Sequence, residues 1–177
     1  MKRTVLFYGL VSGLIVTAMM IVSTAMCYQN ENFQSNMAVG FGTMIIAFCT
    51  IFIAVKKVRD RDNNGVITFG KALITGLYVA LIASTVYVVV WLIDYYVFIP
   101  DFMDKYTAHV LKEVRIDGGT QQEMNSKIDE MNNYKELYKN PLYVVLLTYM
   151  EILPVGFVMT LLSAFTLKRK HRKNDLV

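Results

Sequence analysis

Four stretches of this chain are too long and too apolar to belong to a water-soluble core. Residues 4–26, 35–55 and 72–93 carry no charged side chain, and residues 142–167 carry one, Glu151. Each matches the roughly 20 mainly apolar residues that cross a hydrocarbon layer of about 30 Å. Inside lipid the backbone must satisfy its own hydrogen bonds, so blocks of this length are helices. The third block is rich in Val and Tyr, but a strand of about 4–8 residues is far shorter, so helix is expected there too. The expected fold class is all-α: a single integral membrane domain over 1–177, with four transmembrane helices. A helical hairpin (94–141) lies between the third and fourth spans, and a basic tail (168–177) follows the last. The 55% hydrophobic content therefore describes spans, not a globular core.

Lys and Arg near the span ends set the direction of insertion. Lys2, Arg3, Lys56, Lys57, Arg59, Arg61, Lys71, Lys168, Arg169, Lys170, Arg172 and Lys173 are 12 of the 18 basic residues. All 12 fall on one side of a four-span arrangement. Both termini are expected to be cytoplasmic, and the expected location is a bacterial inner membrane. The net charge of +4 thus hides a strongly basic inner side and an acidic outer one. The basic tail reads as a positive-inside anchor compatible with anionic lipid headgroups, not as a nucleic-acid patch. The first block exceeds the 7–15 apolar residues of a cleavable signal core, so it is expected to stay as a span.

Small residues recur every fourth position: Gly9 and Gly13 in the first span; Gly76, Ala80 and Ser84 in the third; Gly156 in the fourth. Such stripes let helix backbones approach closely in lipid. They are candidate packing sites within the bundle, with homodimerisation through Gly9 and Gly13 as the sharper alternative. Tyr87, Trp91 and Tyr95 share one helical face and read as an interfacial aromatic belt.

The outer segment is patterned. Asp101 can cap a helix that runs to about Ile116 and stops at Asp117-Gly118-Gly119. Thr120 and Glu123 form a capping box for a second helix. Met124, Ile128, Met131 and Tyr138 follow on one face of it, and Glu123 can pair with Lys127 four residues on. Asn140 can cap the fourth span, with Pro141 at its first position.

Glu151 is the candidate functional residue. It lies about 13 Å along the fourth span, well inside the hydrocarbon. No basic residue occupies another span, so a neutral carboxyl with an internal hydrogen bond is expected. Pro154 cannot donate to the carbonyl of Met150, which leaves an acceptor beside Glu151. A hydroxyl from another span is the other partner, with Thr43, Thr50, Ser84 and Thr85 as candidates. An intramembrane acid is also a candidate proton or cation relay.

Other signals are weaker. Asp60-x-Asp62-x-Asn64-Gly65 has the start of a calcium-loop spacing, but its twelfth place is Lys71, so a turn is expected. Cys27 and Cys49 lie at different depths, beyond disulfide reach. His109 and His171 fall on opposite sides and make no ligand cluster. No nucleophile–base pair or phosphate-binding fingerprint is visible, so no enzyme activity, cofactor or metal is expected.

Phe69-Gly70-Lys71-Ala72, Tyr87, Trp91, Pro100-Asp101-Phe102 and Tyr106 resemble the centre of a known family. Tyr138-Lys139-Asn140-Pro141, Glu151-Ile152-Leu153-Pro154-Val155-Gly156 and Leu167-Lys168-Arg169-Lys170 resemble its C-terminal signature. That family is the bacterial membrane proteins of domain of unknown function 4199, and the resemblance covers nearly the whole chain. It implies a four-helix envelope protein and no activity. The expected role is a non-enzymatic envelope or interaction protein; the alternative is a small transporter or channel using Glu151. Expected partners are the lipid bilayer, a second copy or other envelope proteins, and no nucleic acid.

Overall fold

The structure, a computed structural model, describes residues 1–30 and 37–169. The expected start of the second span at Ser35 and most of the tail, with His171, lie outside the described residues. Six α-helices occur among those described: α1 (Lys2–Asn30), α2 (Met37–Lys57), α3 (Phe69–Ile93), α4 (Phe102–Ile116), α5 (Gln121–Tyr138) and α6 (Pro141–Leu167). Short π turns, Val58–Asp62 and Asp94–Phe98, extend α2 and α3.

Four of these helices are long and apolar enough to cross a membrane: Lys2–Gln29, Val39–Asp62, Phe69–Phe98 and Pro141–Leu167. Within them only 33% to 44% of each apolar window is buried inside the chain, so the larger part faces outward. Exposed Phe7, Leu14, Ile46, Phe157 and Phe165 are typical of that surface. In water it would be an apolar surface far larger than a soluble monomer tolerates; in lipid it is the expected exterior.

α1 and α6 each pack against both α2 and α3, and α2 and α3 also touch each other. The small residues set these approaches. A methyl group added at Gly9 would meet Ile82 at 2.8 Å, and one at Gly13 would meet Val86 at 2.8 Å, so both glycines are occupied by α3 within the chain. Gly76 faces Thr160 and Ile51, and Gly156 faces Ala80 and Phe48. Ala80 and Ser84 are buried along the same face of α3. Ser12 donates to the carbonyl of Ala47 at 2.8 Å, a buried bond between α1 and α2. Such a bond contributes roughly 0.6–2 kcal/mol in lipid.

One end of the bundle carries the basic residues. There the amino group of Met1 pairs with Asp62, and Lys57 lies over the Tyr8 ring. Ile67 and Arg169 form an antiparallel bridge with hydrogen bonds of 3.0 and 2.9 Å. Asn64 and Gly65 take positive φ, so the Asp-Asn-Gly run is a turn, and Lys71 Nζ donates to Asn63 Oδ1 within it. Asn63 and Gly65 thereby close the loop that leads into α3, whose first turn is capped by Thr68.

The other end carries α4 and α5. Their boundaries follow the local signals: Gly118 takes φ 75° at the break, and both halves of the Thr120–Glu123 capping box form. Asn140 accepts from the Leu142 amide, with Pro141 at the first turn of α6. Two details differ from expectation. Asp101 sits at the cap position of α4 but does not cap it; its carboxylate takes Tyr28 and Lys105 instead. Glu123 is held by Thr120, so Lys127 pairs with Glu130 at 2.7 Å rather than with Glu123. Along the expected α5 stripe, Met131 is buried and Met124, Ile128 and Tyr138 are half-buried.

Candidate functional site

Where α4 and α5 meet the bundle, a cleft of about 770 Å³ is lined by residues of all six helices, those of α4 and α5 standing at its outer end. Its floor is built by Val16, Met44 and Glu151. Beyond that floor the bundle is filled by Ala47, Phe48, Ile51, Val79 and Ile152, each 0% exposed. The cleft is therefore open toward α4–α5 and shut toward the basic end.

Two physical causes hold it open. Gly156 and Gly76 draw α6, α3 and α2 together in the basic half, so packing is tightest there. At the other end large rings from α3 meet the helix pair. Trp91 and Tyr95 both pack edge-on against Phe102, and Tyr95 packs on Tyr138 at 5.4 Å. Tyr96 donates to the carbonyl of Tyr138 at 3.0 Å. Edge-to-face pairs of this kind add about 0.5–1.5 kcal/mol each beyond the area they bury. The expected aromatic belt is thus only partly found. Tyr87 and Tyr95 are 8% exposed, so they are internal, while Tyr143 is exposed on the outer surface. The stripe i, i+4, i+8 that suggested an interfacial belt instead faces the cleft end of the bundle, where Trp91 and Tyr95 pack on Phe102 of α4.

Glu151 lines this cleft together with Tyr87, Trp91, Tyr138 and Thr148. It is exposed toward the cleft, not sealed between helices. Among the described residues its carboxylate has neither a hydrogen bond nor an ion pair. The expected internal hydrogen bond, to the Met150 carbonyl or to a hydroxyl of another span, is not formed. The Glu151 side chain lines the cleft instead. Pro154 lies inside α6 one turn on, away from the cleft lining. Of the four hydroxyl candidates only Thr43 lines the cleft. Thr50 donates to its own helix at Ala47, Ser84 is buried below the floor, and Thr85 bonds the Tyr149 hydroxyl on the outer surface.

The walls have two chemistries. Met19, Met20, Met26, Met44, Met103 and Met131 supply thioethers, which are polarizable and conformationally adaptable. Tyr87, Trp91, Tyr106, Tyr134 and Tyr138 supply aromatic faces and phenol hydroxyls. Burial and the nearby Glu151 carboxylate push the Tyr138 hydroxyl up to about 12, so it stays protonated and can donate. Glu113, Lys127 and Glu130 line the α4–α5 side. The hydrogen bond that Lys127 donates to the Glu130 carboxylate raises the Lys127 ammonium above its ordinary value, so that cation is tied to Glu130. The lining thus holds three carboxylates against one ammonium.

Sequence reasoning found Glu151 and placed Met131 and Tyr138 on one face. It did not find that methionines of α1, α2, α4 and α5 converge. Their signal was visible in retrospect as a high Met count, 11, but a count carries no position. Among the described residues no group of three His, Cys, Asp or Glu could hold a metal ion. Cys27 and Cys49 are free thiols, as their depths required.

The fold and cleft define a four-span helical membrane protein with a cleft open at one end of its bundle. The chain belongs to the family described as Protein of unknown function (DUF4199), whose match runs over residues 8–169. No curated protein and no solved structure matches it.

Proposed function

We propose that this chain is a non-enzymatic membrane protein that binds a partner molecule in the cleft, with both termini on the cytoplasmic side and α4–α5 on the outer side. One observation carries the reading: the cleft reaches Glu151 at intramembrane depth and ends there against a filled half-bundle. A volume of about 770 Å³ lies within the range of pockets that enclose a small molecule. Beyond Glu151 the bundle is filled by buried Phe48, Ile51 and Ile152, with the hydroxyls of Thr75, Ser84, Thr160 and Ser163 as buried polar groups among them, so a conducting path would have to run through packed side chains. The orientation rests on the basic residues gathered at the Met1, Asp62 and Arg169 end. A bacterial inner membrane is the setting that this charge pattern and the family resemblance suggest.

The competing reading is a proton or cation relay, and the carboxyl at the cleft floor favours it. Purified full-length protein in sealed vesicles separates the two. Proton flux, followed with an entrapped pH dye, and potassium or sodium flux are expected to equal those of protein-free vesicles. Flux above that background, lost in Glu151→Gln, would overturn the binding reading.

A further inference from the structure

The cleft carries a sign as well as a shape. Glu151 brings a carboxylate to the floor with no partner among the described residues. An unpaired ionised carboxylate at that depth is costly, and a cation seated beside it removes the cost. At the α4–α5 side Glu130 is paired with Lys127 at 2.7 Å and Glu113 stands 3.4 Å from His109, so Glu151 is the acid that the cleft offers a cation. Between floor and mouth stand Tyr87, Trp91 and Tyr138, whose ring faces attract cations. Much of the remaining wall is methionine and valine, interspersed with the hydroxyls of Ser23, Thr24, Thr43 and Thr148, which suits an apolar body of irregular shape. An anionic headgroup would meet the Glu151 carboxylate at the floor, and a small hydrated metal ion leaves the apolar wall unused.

From this juxtaposition, and resting on the reading that the cleft binds, we propose that it is a site for a lipophilic organic cation. Glu151 is its counter-charge and Tyr87, Trp91 and Tyr138 are its walls. The cation enters from the α4–α5 end with its apolar groups against Met19, Met44 and Met131.

The chain contains a single tryptophan, Trp91, and it lines the cleft, so its emission reports occupancy directly. Full-length protein in phosphatidylcholine nanodiscs is titrated with tetraphenylphosphonium and, separately, with tetraphenylborate. These two ions have nearly the same size and apolar surface and opposite charge; empty nanodiscs correct for partitioning. A saturable change in Trp91 emission is expected with the phosphonium and not with the borate. Glu151→Gln is expected to weaken phosphonium binding at least tenfold, and Cys49→Ser, outside the cleft, to leave it unchanged. Equal saturable binding of both ions would make the cleft a plain apolar groove for acyl chains or detergent and overturn the proposal. Undiminished phosphonium binding in Glu151→Gln would overturn it as well. Should Glu151→Gln fail to fold, the contrast between the two ions on the wild-type chain decides. Tight vesicles with no phosphonium binding would remove this inference alone. Glu151-dependent flux with phosphonium binding intact would leave the cation site standing and overturn only the non-conducting part of the reading above.

Discussion

The hydroxyl of Tyr28, at the end of α1, donates to Oδ1 of Asp101 at 2.8 Å, at the start of α4. The same carboxylate takes Lys105 at 2.9 Å, and the Lys105 ammonium lies 4.2 Å from the centre of the Tyr28 ring. These three residues tie α4, at the outer end of the cleft, to α1. Tyr28→Phe and Asp101→Asn are expected to raise amide hydrogen exchange across α4 several-fold, with α2 unchanged. Exchange in α4 equal to wild type in both variants would show that the tie contributes nothing.

The same tie gives a pH dependence. The Lys105 ammonium, and then the Tyr28 hydroxyl, hold the Asp101 carboxyl below its ordinary 3.8. A carboxyl depressed on folding stabilises fully above its unfolded value and loses that contribution as pH falls through the folded one. Protection of α4, corrected for intrinsic exchange rates, is therefore expected to hold from pH 7 to about 4 and fall below it. In Asp101→Asn this acid-dependent part should vanish. Protection that declines already between pH 7 and 5 would point to a different group.

Close helix approach in the basic half predicts a sharp contrast among glycines. A methyl at Gly156 would stand 3.0 Å from Ala80 Cβ and 3.1 Å from Phe48 Cζ; at Gly76 it would stand 2.7 Å from Thr160 Cγ2. Gly156→Val and Gly76→Val are expected to destabilise by about 1–3 kcal/mol, the usual cost of overpacking. Gly42 has nothing within 4 Å, so Gly42→Ala should be neutral or slightly stabilising. Thermal unfolding in detergent ranks the three, and equal midpoints would mean that the helices do not cross at these glycines.

The capping box at Thr120 supports the first turn of α5, where Thr120 Oγ1 accepts from the Glu123 amide and Glu123 Oε2 accepts from the Thr120 amide at 2.7 Å. Thr120→Ala is expected to cost about 1 kcal/mol of local stability. Its trace is faster exchange at residues 121–124 with the rest of α5 preserved as far as Lys135, which α4 holds through Asp104 at 2.7 Å. Unfolding of all of α5 would mean that the cap holds the whole helix rather than its first turn.

Two native thiols test the orientation. Cys27 lies near the α4–α5 end and Cys49 on an exposed face of α2 amid apolar residues. A membrane-impermeant maleimide added to whole cells is expected to label Cys27 and spare Cys49. After outward-facing thiols are blocked, Asn63→Cys or Asn64→Cys should label only in opened cells. Labelling of that turn from outside would reverse the assignment.

Much of this molecule was legible in the chain because its signals are local. Span length, the Thr120–Glu123 box, the Asn140-Pro141 start and the Asn64-Gly65 turn each depend on residues a few places apart, and each formed. What failed is rotation about helix axes. In spans that are apolar on every side, no polar face says which side turns inward. Tyr87 and Tyr95 therefore read as an interfacial belt yet lie inside. Glu151 was assigned an internal hydrogen bond yet opens into a cleft. Gly9 and Gly13 were legible as a contact stripe, but that Ile82 and Val86 fill it depends on how α3 lies against α1. Convergence of methionines from four helices is likewise a property of assembly, not of any one segment.

The bridge between Ile67 and Arg169 gives the bundle a mechanical asymmetry. Its two backbone hydrogen bonds pin the entrance of α3 to the exit of α6 at the shut end, beside the glycine-tightened core. At the far end the π turn after α3 is joined instead to α5, by the Tyr95–Tyr138 ring contact and by the Tyr96 hydroxyl on the Tyr138 carbonyl, and α5 is joined to α4 by the exposed Lys135–Asp104 pair. The shut end is thus clasped by main-chain atoms at the ends of two spans, while the cleft end relies on side chains reaching α4 and α5. Substitutions can therefore loosen the mouth of the cleft far more readily than the clasp.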